Sequence, residues 1–244
     1  AAQWLRNLIN AGHIAPGIVD ERSIEDVRPN DLRGFTQCHF FAGIGVWSHA
    51  LRSAGWGDDR PVWTGSCPCQ PFSAAGAGAG FADERHLWPA FHHLIEQCRP
   101  AIVCGEQVAS KDANPWIDLV QTDLEALGYG VGAVAFPSAS VGAPHIRDRL
   151  YWVADSRRNG HLAAKVRRKA GACEVVGGVL ESEGCFAETI RCRDGKTRPC
   201  EPGFTPWVDV SPEVLGRLRA YGNSINAKAG EVFIRAVMES IDAY

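Results

Sequence analysis

The sequence predicts an α/β fold, because strand patterns alternate with helix patterns along its 244 residues. An apolar strand pattern at residues 35–41 passes through a turn containing Gly43 and Gly45 into a helix pattern at residues 46–52. Strand, glycine turn and helix in this order can bring a ligand to a helix N-terminus, where backbone amides approach it. A two-glycine turn alone is a weak signal, so an ordinary structural turn is the alternative to a cofactor site.

The other elements follow in the same alternation. We predict helices at residues 4–9, 87–98, 116–127 and 227–240, and strands at residues 61–63, 100–104, 131–136 and 145–154. Residues 29–32 predict a turn or a single helical turn. These boundaries divide the chain into an N-terminal segment at 1–34, a core at 35–155, an irregular region at 156–206 and a C-terminal segment at 207–244.

The turn after the strand at residues 61–63 carries Cys67 and Cys69, in the run Gly-Ser-Cys-Pro-Cys-Gln-Pro-Phe-Ser at residues 65–73. A Cys at the end of a strand in an open α/β sheet faces the ligand crevice, where a thiol can act chemically. Free Cys is also a common core residue, so a pair of packed thiols is the alternative. The local sequence leaves both interpretations open.

Two features flank this turn. A loop of Ala and Gly at residues 74–80 leads into residues 81–85, a composition that suits a mobile lid or a flexible linker. Glu106 stands just after the apolar strand at 100–104, on the same sheet edge as the Cys turn. A buried carboxyl there would have a raised pKa and could donate a proton, whereas a Glu that caps the next helix would not.

Arg147 and Arg149 stand two residues apart in the strand pattern at 145–154, so we expect both on one face of that strand. An Arg side chain entering a sheet is costly unless it pairs with a carboxylate or a phosphate. The two arginines therefore point to an anionic partner at this place.

Composition limits the class of protein. The chain is 45% apolar with a net charge of −3, and it has no apolar run near the about 20 residues that span a membrane. Its first residues lack the layout of a signal peptide, and nine cysteines without regular spacing fit a reducing compartment. We therefore expect a cytoplasmic protein with no membrane contact.

Charge is unevenly spread along the chain. Residues 156–200 hold ten Lys and Arg against five Asp and Glu. A basic segment of this kind is typical of a phosphate-binding face, and a solvated loop with a charge run is the alternative. The cysteines at positions 173, 185, 192 and 200 include no C-x₂-C pair, so we expect no metal site.

Five short motifs follow one another along the chain: Phe-Ala-Gly-Ile-Gly at 41–45, Pro-Cys-Gln-Pro-Phe-Ser at 68–73, Glu-Gln-Val at 106–108, Arg-Asp-Arg at 147–149 and Gly-Asn-Ser-Ile at 222–225. In this order they resemble the motifs of the cytosine carbon-5 DNA methyltransferase family, and the stretches at 193–203 and 217–221 resemble its phage-type members. The resemblance implies a mostly parallel, doubly wound sheet, the fold of S-adenosylmethionine-dependent methyltransferases. It also implies a short target-recognition region at 156–206, a phage or prophage origin and a place in restriction-modification.

The resemblance implies a reaction as well. A methyl group would pass from S-adenosylmethionine to carbon 5 of a cytosine flipped out of double-stranded DNA. Cys69, which has the Pro before it and the Gln after it that Cys67 lacks, would attack carbon 6 of the base. Glu106 would protonate ring nitrogen 3, and Arg149 with Arg147 would orient the base and hold Glu106.

The other site residues follow from the same resemblance. The cofactor pocket would be lined by Phe41, Ala42, Gly43, Ile44, Gly45, Pro68, Asn223 and Ser224. The DNA would be held by the loop at residues 73–85, which closes over the base, and by the recognition region. The expected DNA contacts are Gln70, Ser73, Arg85, Arg157, Arg158, Arg167 and Arg168.

The chain departs from the family pattern in three places. Gln107 stands where the family usually has Asn, and His145 stands where Gln is usual. Only residues 52–63 lie between Leu51, in the first helix of the core, and Thr64, just before the Cys motif. Family members usually insert two further strands there, one of which ends in the acid that binds the cofactor's ribose.

We expect the missing material at the front of the chain, because residues 22–32 resemble the stretch that usually precedes the Cys motif. Asp20 or Glu21 would then bind the ribose hydroxyls, and residues 23–24 would border the adenine. An N-terminal arm that only covers the sheet edge is the alternative.

The recognition region is short, which suggests a brief target sequence, loose specificity, or recognition that needs a partner protein or a second subunit. Two other functions stay open at this point. One is a catalytically weak family member that binds DNA without modifying it. The other is a related enzyme that uses a modified S-adenosylmethionine or another one-carbon donor.

Overall fold

A computed structural model describes residues 1–68, 87–109, 114–143, 147–157, 188–191, 197–200 and 224–242. The described strands are β1 (Gln37–Phe40), β2 (Val62–Gly65), β3 (Ile102–Val108), β4 (Gly130–Pro137), β5 (Asp148–Asp155), β6 (Glu188–Arg191) and β7 (Thr197–Cys200). The described helices are α1 (Ala2–Asn10), α2 (Pro29–Leu32), α3 (Val46–Ala54), α4 (Trp88–Cys98), α5 (Asn114–Ala126) and α6 (Ala227–Asp242), with 3₁₀ turns at Ile24–Asp26 and Ser138–Val141.

Five strands form one sheet in the order β1-β2-β3-β5-β4, and β6 pairs with β7 in a separate antiparallel ribbon. The strands β1, β2 and β3 are parallel, whereas β5 runs antiparallel to both of its neighbours, β3 and β4. Four of the five strands therefore point the same way, and the predicted mostly parallel α/β sheet is confirmed.

Both faces of the sheet are covered, because successive side chains of a strand point to opposite faces. Val103 and Trp152 belong to an apolar core with residues of α4 and α5. Cys104 and Tyr151, each the next or previous residue along the strand, belong to a second core with residues of α3 and α6. This alternation makes the sheet doubly wound, as expected for strands buried on both faces.

The N-terminal segment packs against the turn that follows β1. The indole nitrogen of Trp4 donates a hydrogen bond to the carbonyl oxygen of Ile44, 3.3 Å away. Ile24 is buried in the same core as Phe40 and the residues of α4. The predicted helix at 4–9 and the helical turn at 29–32 are both present, as α1 and α2. The segment thus lies beside the expected cofactor turn.

Two local predictions need correction. Glu106 does not follow the end of a strand but lies within β3, because β3 pairs with β5 continuously from Ile102 to Val108. Arg147 does not share a strand face with Arg149, because β5 begins at Asp148 and Arg147 has a positive φ of 34°. A left-handed backbone cannot continue a strand, so Arg147 leaves the sheet before its alternation starts.

Among the described residues, no helix has both the length and the apolar character that crossing a bilayer requires.

Candidate active site

The candidate site lies where the parallel strands β1, β2 and β3 approach their carboxyl ends. Phe40 pairs with Gly65, and Gly65 pairs with Gly105, so the three strands reach the same level of the sheet together. The turn at residues 41–45, the run Ser66–Pro68 and the side chain of Glu106 follow directly after these three positions. The carboxyl edge of such a sheet is where open α/β folds bind ligands.

Glu106 is buried and forms an ion pair with Arg149, whose Nε lies 2.6 Å from Oε1 of the carboxyl. Burial raises the pKa of Glu106 above its ordinary value, because the charged form loses its hydration. The charges of Arg149 and Arg147 and a hydrogen bond with Ser66 act in the opposite direction but do not cancel this effect. The protonated carboxyl is therefore more populated here than in water.

The run that leads to Cys69 is held from both faces of the sheet. The indole nitrogen of Trp47, in α3, donates a hydrogen bond of 3.0 Å to Oγ of Ser66. The amide nitrogen of Gln107 donates a hydrogen bond of 3.3 Å to the carbonyl oxygen of Cys67, and its amide oxygen accepts one from the backbone of Val108. These contacts fix the backbone that delivers the next residues to the sheet edge.

Cys67 is buried in the apolar core formed with α4 and α5. This position agrees with the packed-thiol alternative of the sequence analysis, because a buried free Cys packs like a small apolar side chain. Cys69, the expected nucleophile, lies outside the described residues, as do Gln70, Ser73 and Arg85. Cys67 is therefore a packed core residue, and Cys69 stays the predicted nucleophile of this motif.

The turn after β1 has three residues with positive φ, at Phe41 (53°), Gly43 (57°) and Gly45 (87°). A non-glycine residue such as Phe41 in this region is strained, and strain of this kind is concentrated at ligand sites. A Cβ on Gly45 would lie 2.9 Å from Leu5 of α1, whereas a Cβ on Gly43 would meet only the carbonyl oxygen of Phe41, at 3.9 Å. One side of the turn is therefore closed by α1 and the other is open.

This open side suits a nucleoside cofactor. Gly45 precedes the first residue of α3, so the turn stands at the positive end of a nine-residue helix. Ala42, Ile44 and Pro68 are each half-buried around it. The residues that the sequence assigned to cofactor binding therefore fit the group, as far as they are described.

The far end of the chain returns to this edge through Ser224, whose carbonyl oxygen accepts a hydrogen bond from Nη2 of Arg147. The pKa of Arg147 is lowered by burial first and by the neighbouring charge of Arg149 second. Ile225 anchors the return in the core shared with α3 and α6. Arg147 thus joins the C-terminal segment to the site, and Asn223 lies outside the described residues.

Arg157 is placed at the other end of the sheet. It follows Asp155, which pairs with the first residues of β3 and β4, and its Nε lies 3.0 Å from the Asp155 carboxylate. This position is at the amino edge of the parallel strands, away from Glu106. The other expected DNA contacts in the recognition region, Arg158, Arg167 and Arg168, lie outside the described residues.

Sequence reasoning missed four residues near the site. Trp47 donates a hydrogen bond to Ser66, which is hydrogen-bonded to Glu106. The half-buried His39 of β1 contacts the buried Thr64 of β2 at 2.8 Å. Burial lowers the pKa of His39 to about 4, so its ring is neutral. The position of Ser66 just before the Cys motif was the one sequence signal of a place in the site. Trp47 gave no such signal, because its position in the helix pattern is typical of a core residue.

Comparison with known proteins finds a family model that matches part of this chain. Residues 57–169 match the family model described as C-5 cytosine-specific DNA methylase. The chain is 34% identical over 109 residues to the Type II methyltransferase M.AluI of Cellulosimicrobium cellulans, across 39% of this chain and 21% of that protein. It is 29% identical over 129 residues to M.HaeII of Haemophilus aegyptius, across 51% of this chain and 40% of that protein. The matched stretch is therefore well under half the length of either relative.

A solved structure extends the similarity to the fold of the whole chain. The Dnmt2 methyltransferase of S. pombe aligns with 99% of this chain and 90% of its own, with a TM-score of 0.57 and 14% sequence identity. At this identity the likeness concerns the fold alone.

Proposed function

We propose that this chain, whose residues 57–169 match the family model described as C-5 cytosine-specific DNA methylase, transfers a methyl group from S-adenosylmethionine to carbon 5 of cytosine in double-stranded DNA. The observation that supports this best is the buried Glu106–Arg149 pair beside the run that leads into the Pro-Cys-Gln motif. A buried acid with a raised pKa next to a cysteine-bearing turn is the combination that cytosine activation requires.

In the proposed reaction the thiolate sulfur of Cys69 forms a bond to carbon 6 of the flipped base. The electron pair of the 5,6 double bond then shifts through carbons 5 and 4 toward ring nitrogen 3. Glu106 donates its proton to ring nitrogen 3, so no negative charge accumulates on the base. Carbon 5 then takes the methyl group, which bound S-adenosylmethionine supplies as an electrophile. Loss of the proton on carbon 5 and departure of the Cys69 sulfur restore the 5,6 double bond, and ring nitrogen 3 returns its proton to Glu106.

Arg149 has a positioning part in this scheme. Its guanidinium holds one oxygen of Glu106 at 2.6 Å, which leaves the carboxyl in a fixed orientation. Arg147 adds positive charge nearby and secures the returning C-terminal segment through Ser224. The buried position of the carboxyl excludes water, which strengthens each of these electrostatic interactions.

Covalent trapping tests the proposal. The protein is mixed with S-adenosylmethionine and double-stranded DNA that contains 5-fluorocytosine, in which fluorine replaces the proton that must leave carbon 5. We expect an adduct that survives denaturation with the wild type and with Cys67→Ser, and none with Cys69→Ala. A wild type that binds DNA but forms no adduct would contradict the proposal and favour a family member that binds without modifying.

The same experiment separates methyl transfer from other one-carbon chemistry. Mass spectrometry of nucleosides from unmodified substrate DNA identifies the group on carbon 5, and 5-methylcytosine is the expected product. Any other mass increment would indicate a modified donor.

On the cofactor side we propose that the N-terminal segment replaces the strands that the core lacks. In support, α1 closes one side of the glycine turn, while the 3₁₀ turn at Ile24–Asp26 packs beside β1. Asp20 and Glu21 lead into this turn, and each is now paired with an arginine, Arg22 and Arg6 respectively. We propose that one of these carboxylates binds the ribose hydroxyls.

Calorimetric titration with S-adenosylmethionine tests this assignment. Removing the ribose ligand by Asp20→Ala or Glu21→Ala should weaken binding by roughly tenfold, the value of one charge-assisted hydrogen bond. Glu25→Ala removes a neighbouring exposed carboxylate and serves as the control. Unchanged affinity in both variants would mean that the segment only covers the sheet edge.

A further inference from the structure

We propose that Trp47 and Ser66 form a positioning relay for Glu106, in which the indole orients the serine hydroxyl and the hydroxyl stabilises the ionised carboxyl. The relay rests on the proposed function for its purpose, but its effect on Glu106 is measurable without any reaction. Neither residue belongs to the motifs that the resemblance assigned to the site.

The chemistry of the contact fixes its direction. An indole nitrogen can only donate a hydrogen bond, so at 3.0 Å from Trp47 the oxygen of Ser66 is the acceptor. The hydrogen of the same hydroxyl is then free to be donated elsewhere. The hydrogen bond between Ser66 and Glu106 takes it, and the serine acts toward the carboxyl as a donor only.

Trp47 is itself held in place. Its side chain is buried in the core of α3 and α6, and its ring meets the rings of Tyr151 and Phe233 edge-on, at centroid distances of 6.3 and 6.4 Å. Packing on two sides prevents the indole from turning away from Ser66. A fixed donor therefore holds the serine in one orientation, while a serine without this neighbour could rotate freely.

The consequence is a balance at Glu106 between groups from three parts of the chain. Burial favours the neutral carboxyl, whereas Arg149, Arg147 and Ser66 favour the carboxylate. Tyr151 stands directly opposite Glu106 on β5, and its buried hydroxyl makes no hydrogen bond with any described residue. Among the described residues, Ser66 is thus the one uncharged group whose hydrogen bond shifts the pKa of Glu106.

Nuclear magnetic resonance of protein labelled with ¹³C in the glutamate carboxyl groups tests the relay on the free protein. The resonance of Glu106 is identified by its loss in Glu106→Gln, and its pKa is read from a pH titration. We expect Ser66→Ala to raise this pKa by roughly half a unit to one unit, the equivalent of one ordinary hydrogen bond. Trp47→Phe should raise the pKa by less, because the hydroxyl is kept but no longer oriented.

Two comparisons distinguish the relay from a general loss of structure. Trp56→Phe is the matched control for Trp47→Phe, since Trp56 is buried in the same core but donates its hydrogen bond to the carbonyl oxygen of Arg60. It should leave the pKa of Glu106 unchanged. The double variant of Trp47 and Ser66 should match Ser66→Ala alone, because the indole acts only through the serine.

Ser66→Thr keeps the hydroxyl and should retain the wild-type pKa, which provides a second variant if Ser66→Ala does not fold. An unchanged Glu106 pKa in both Ser66→Ala and Trp47→Phe would overturn the relay. So would an additive effect in the double variant. Failure of the wild type in the trapping experiment would overturn the proposed function instead, and the titration would still decide the relay.

Discussion

Two buried carboxylates stand at opposite ends of the sheet, and each has an arginine partner. Asp155 ends β5, is completely buried, and is bound by Arg157, whose side chain is 54% exposed. Glu106 lies near the end of β3 and is bound by Arg149, whose side chain is only 15% exposed. Each pair joins a buried carboxylate to an arginine, but the two pairs differ in which parts of the chain supply the contacts.

The Asp155 pair is local. Its carboxylate accepts hydrogen bonds from the backbone nitrogen, Nε and Nη2 of Arg157, at 2.9, 3.0 and 3.0 Å. A side chain that binds the backbone two residues later forms a common turn motif, and such a motif closes the end of a strand. These three hydrogen bonds come from one short segment, and we interpret the pair as one that stabilises the fold.

The Glu106 pair is assembled from distant parts of the chain. Arg149 comes from β5, Ser66 follows β2, and Trp47 of α3 stands behind Ser66. The pKa of its carboxyl is raised, although three donors or charges oppose the rise. An acid held in a partly neutral state by burial is suited to proton transfer. The origin of the contacts therefore separates the pair that we propose to act in catalysis from the pair that closes a strand end.

The largest expected effect that tests this difference is on the rate. Glu106→Gln should slow methyl transfer by about 10²- to 10⁴-fold in a single-turnover assay, because an amide cannot donate the proton to the base. Asp155→Asn, at the other end of the sheet, should leave the rate per folded molecule near that of the wild type. Equal losses in the two variants would remove the distinction.

The second largest effect is on the free energy of unfolding, and it concerns the Asp155 pair. Asp155→Ala should lower the free energy of unfolding by about 1–3 kcal/mol, since it removes the acceptor of three hydrogen bonds at the end of β5. Denaturant titration measures this value at neutral pH. A variant as stable as the wild type would mean that Asp155 does not close the strand end.

The third effect is the dependence of stability on pH. Because the folded-state pKa of Glu106 is raised, the associated stability is complete below the ordinary pKa of 4.5 and is lost as pH rises through the folded-state value. The wild type should therefore lose stability relative to Glu106→Gln as the pH increases from below 4.5 toward neutral. Parallel denaturant titrations across this range measure the difference, and a constant difference would contradict the raised pKa.

The smallest effect concerns Arg157. Because its side chain is exposed and bound to Asp155 at the amino edge, Arg157→Ala should change stability by less than about 1 kcal/mol. Its affinity for DNA should equal that of the wild type at the same salt concentration. A clear loss of affinity, together with a weaker dependence of affinity on salt, would instead support the DNA contact that was predicted for Arg157.

Local patterns were sufficient for most of the described elements. The helix that became α3 was predicted from the glycine turn and helical spacing, and the helices α4, α5 and α6 were predicted within a few residues. Periodicity is a property of neighbouring residues, so a sequence carries it directly. The grouping of Glu106 with Arg149 also followed from the sequence, although only through the family resemblance.

The errors have one cause. The pairing of β3 with β5 carries the sheet through Glu106, and a left-handed residue at Arg147 removes it from the face of Arg149. Both depend on where a distant strand lies, and nothing in the local spacing records that position. The DNA contact of Arg157 stays a prediction, because neither the resemblance nor the charge of the region shows which end of the sheet this residue occupies.

The sequence by itself determined the class of fold, the order of the described helices and strands, and the family that the chain resembles, because these depend on periodicity and on short motifs. Only the tertiary structure decided which partners each buried charge receives. Ser66 and Trp47 reach Glu106 because a parallel sheet brings the ends of β2 and β3 to one level and packs α3 against them. Such contacts exist only after the chain closes on itself, when burial makes each unmet donor or charge costly.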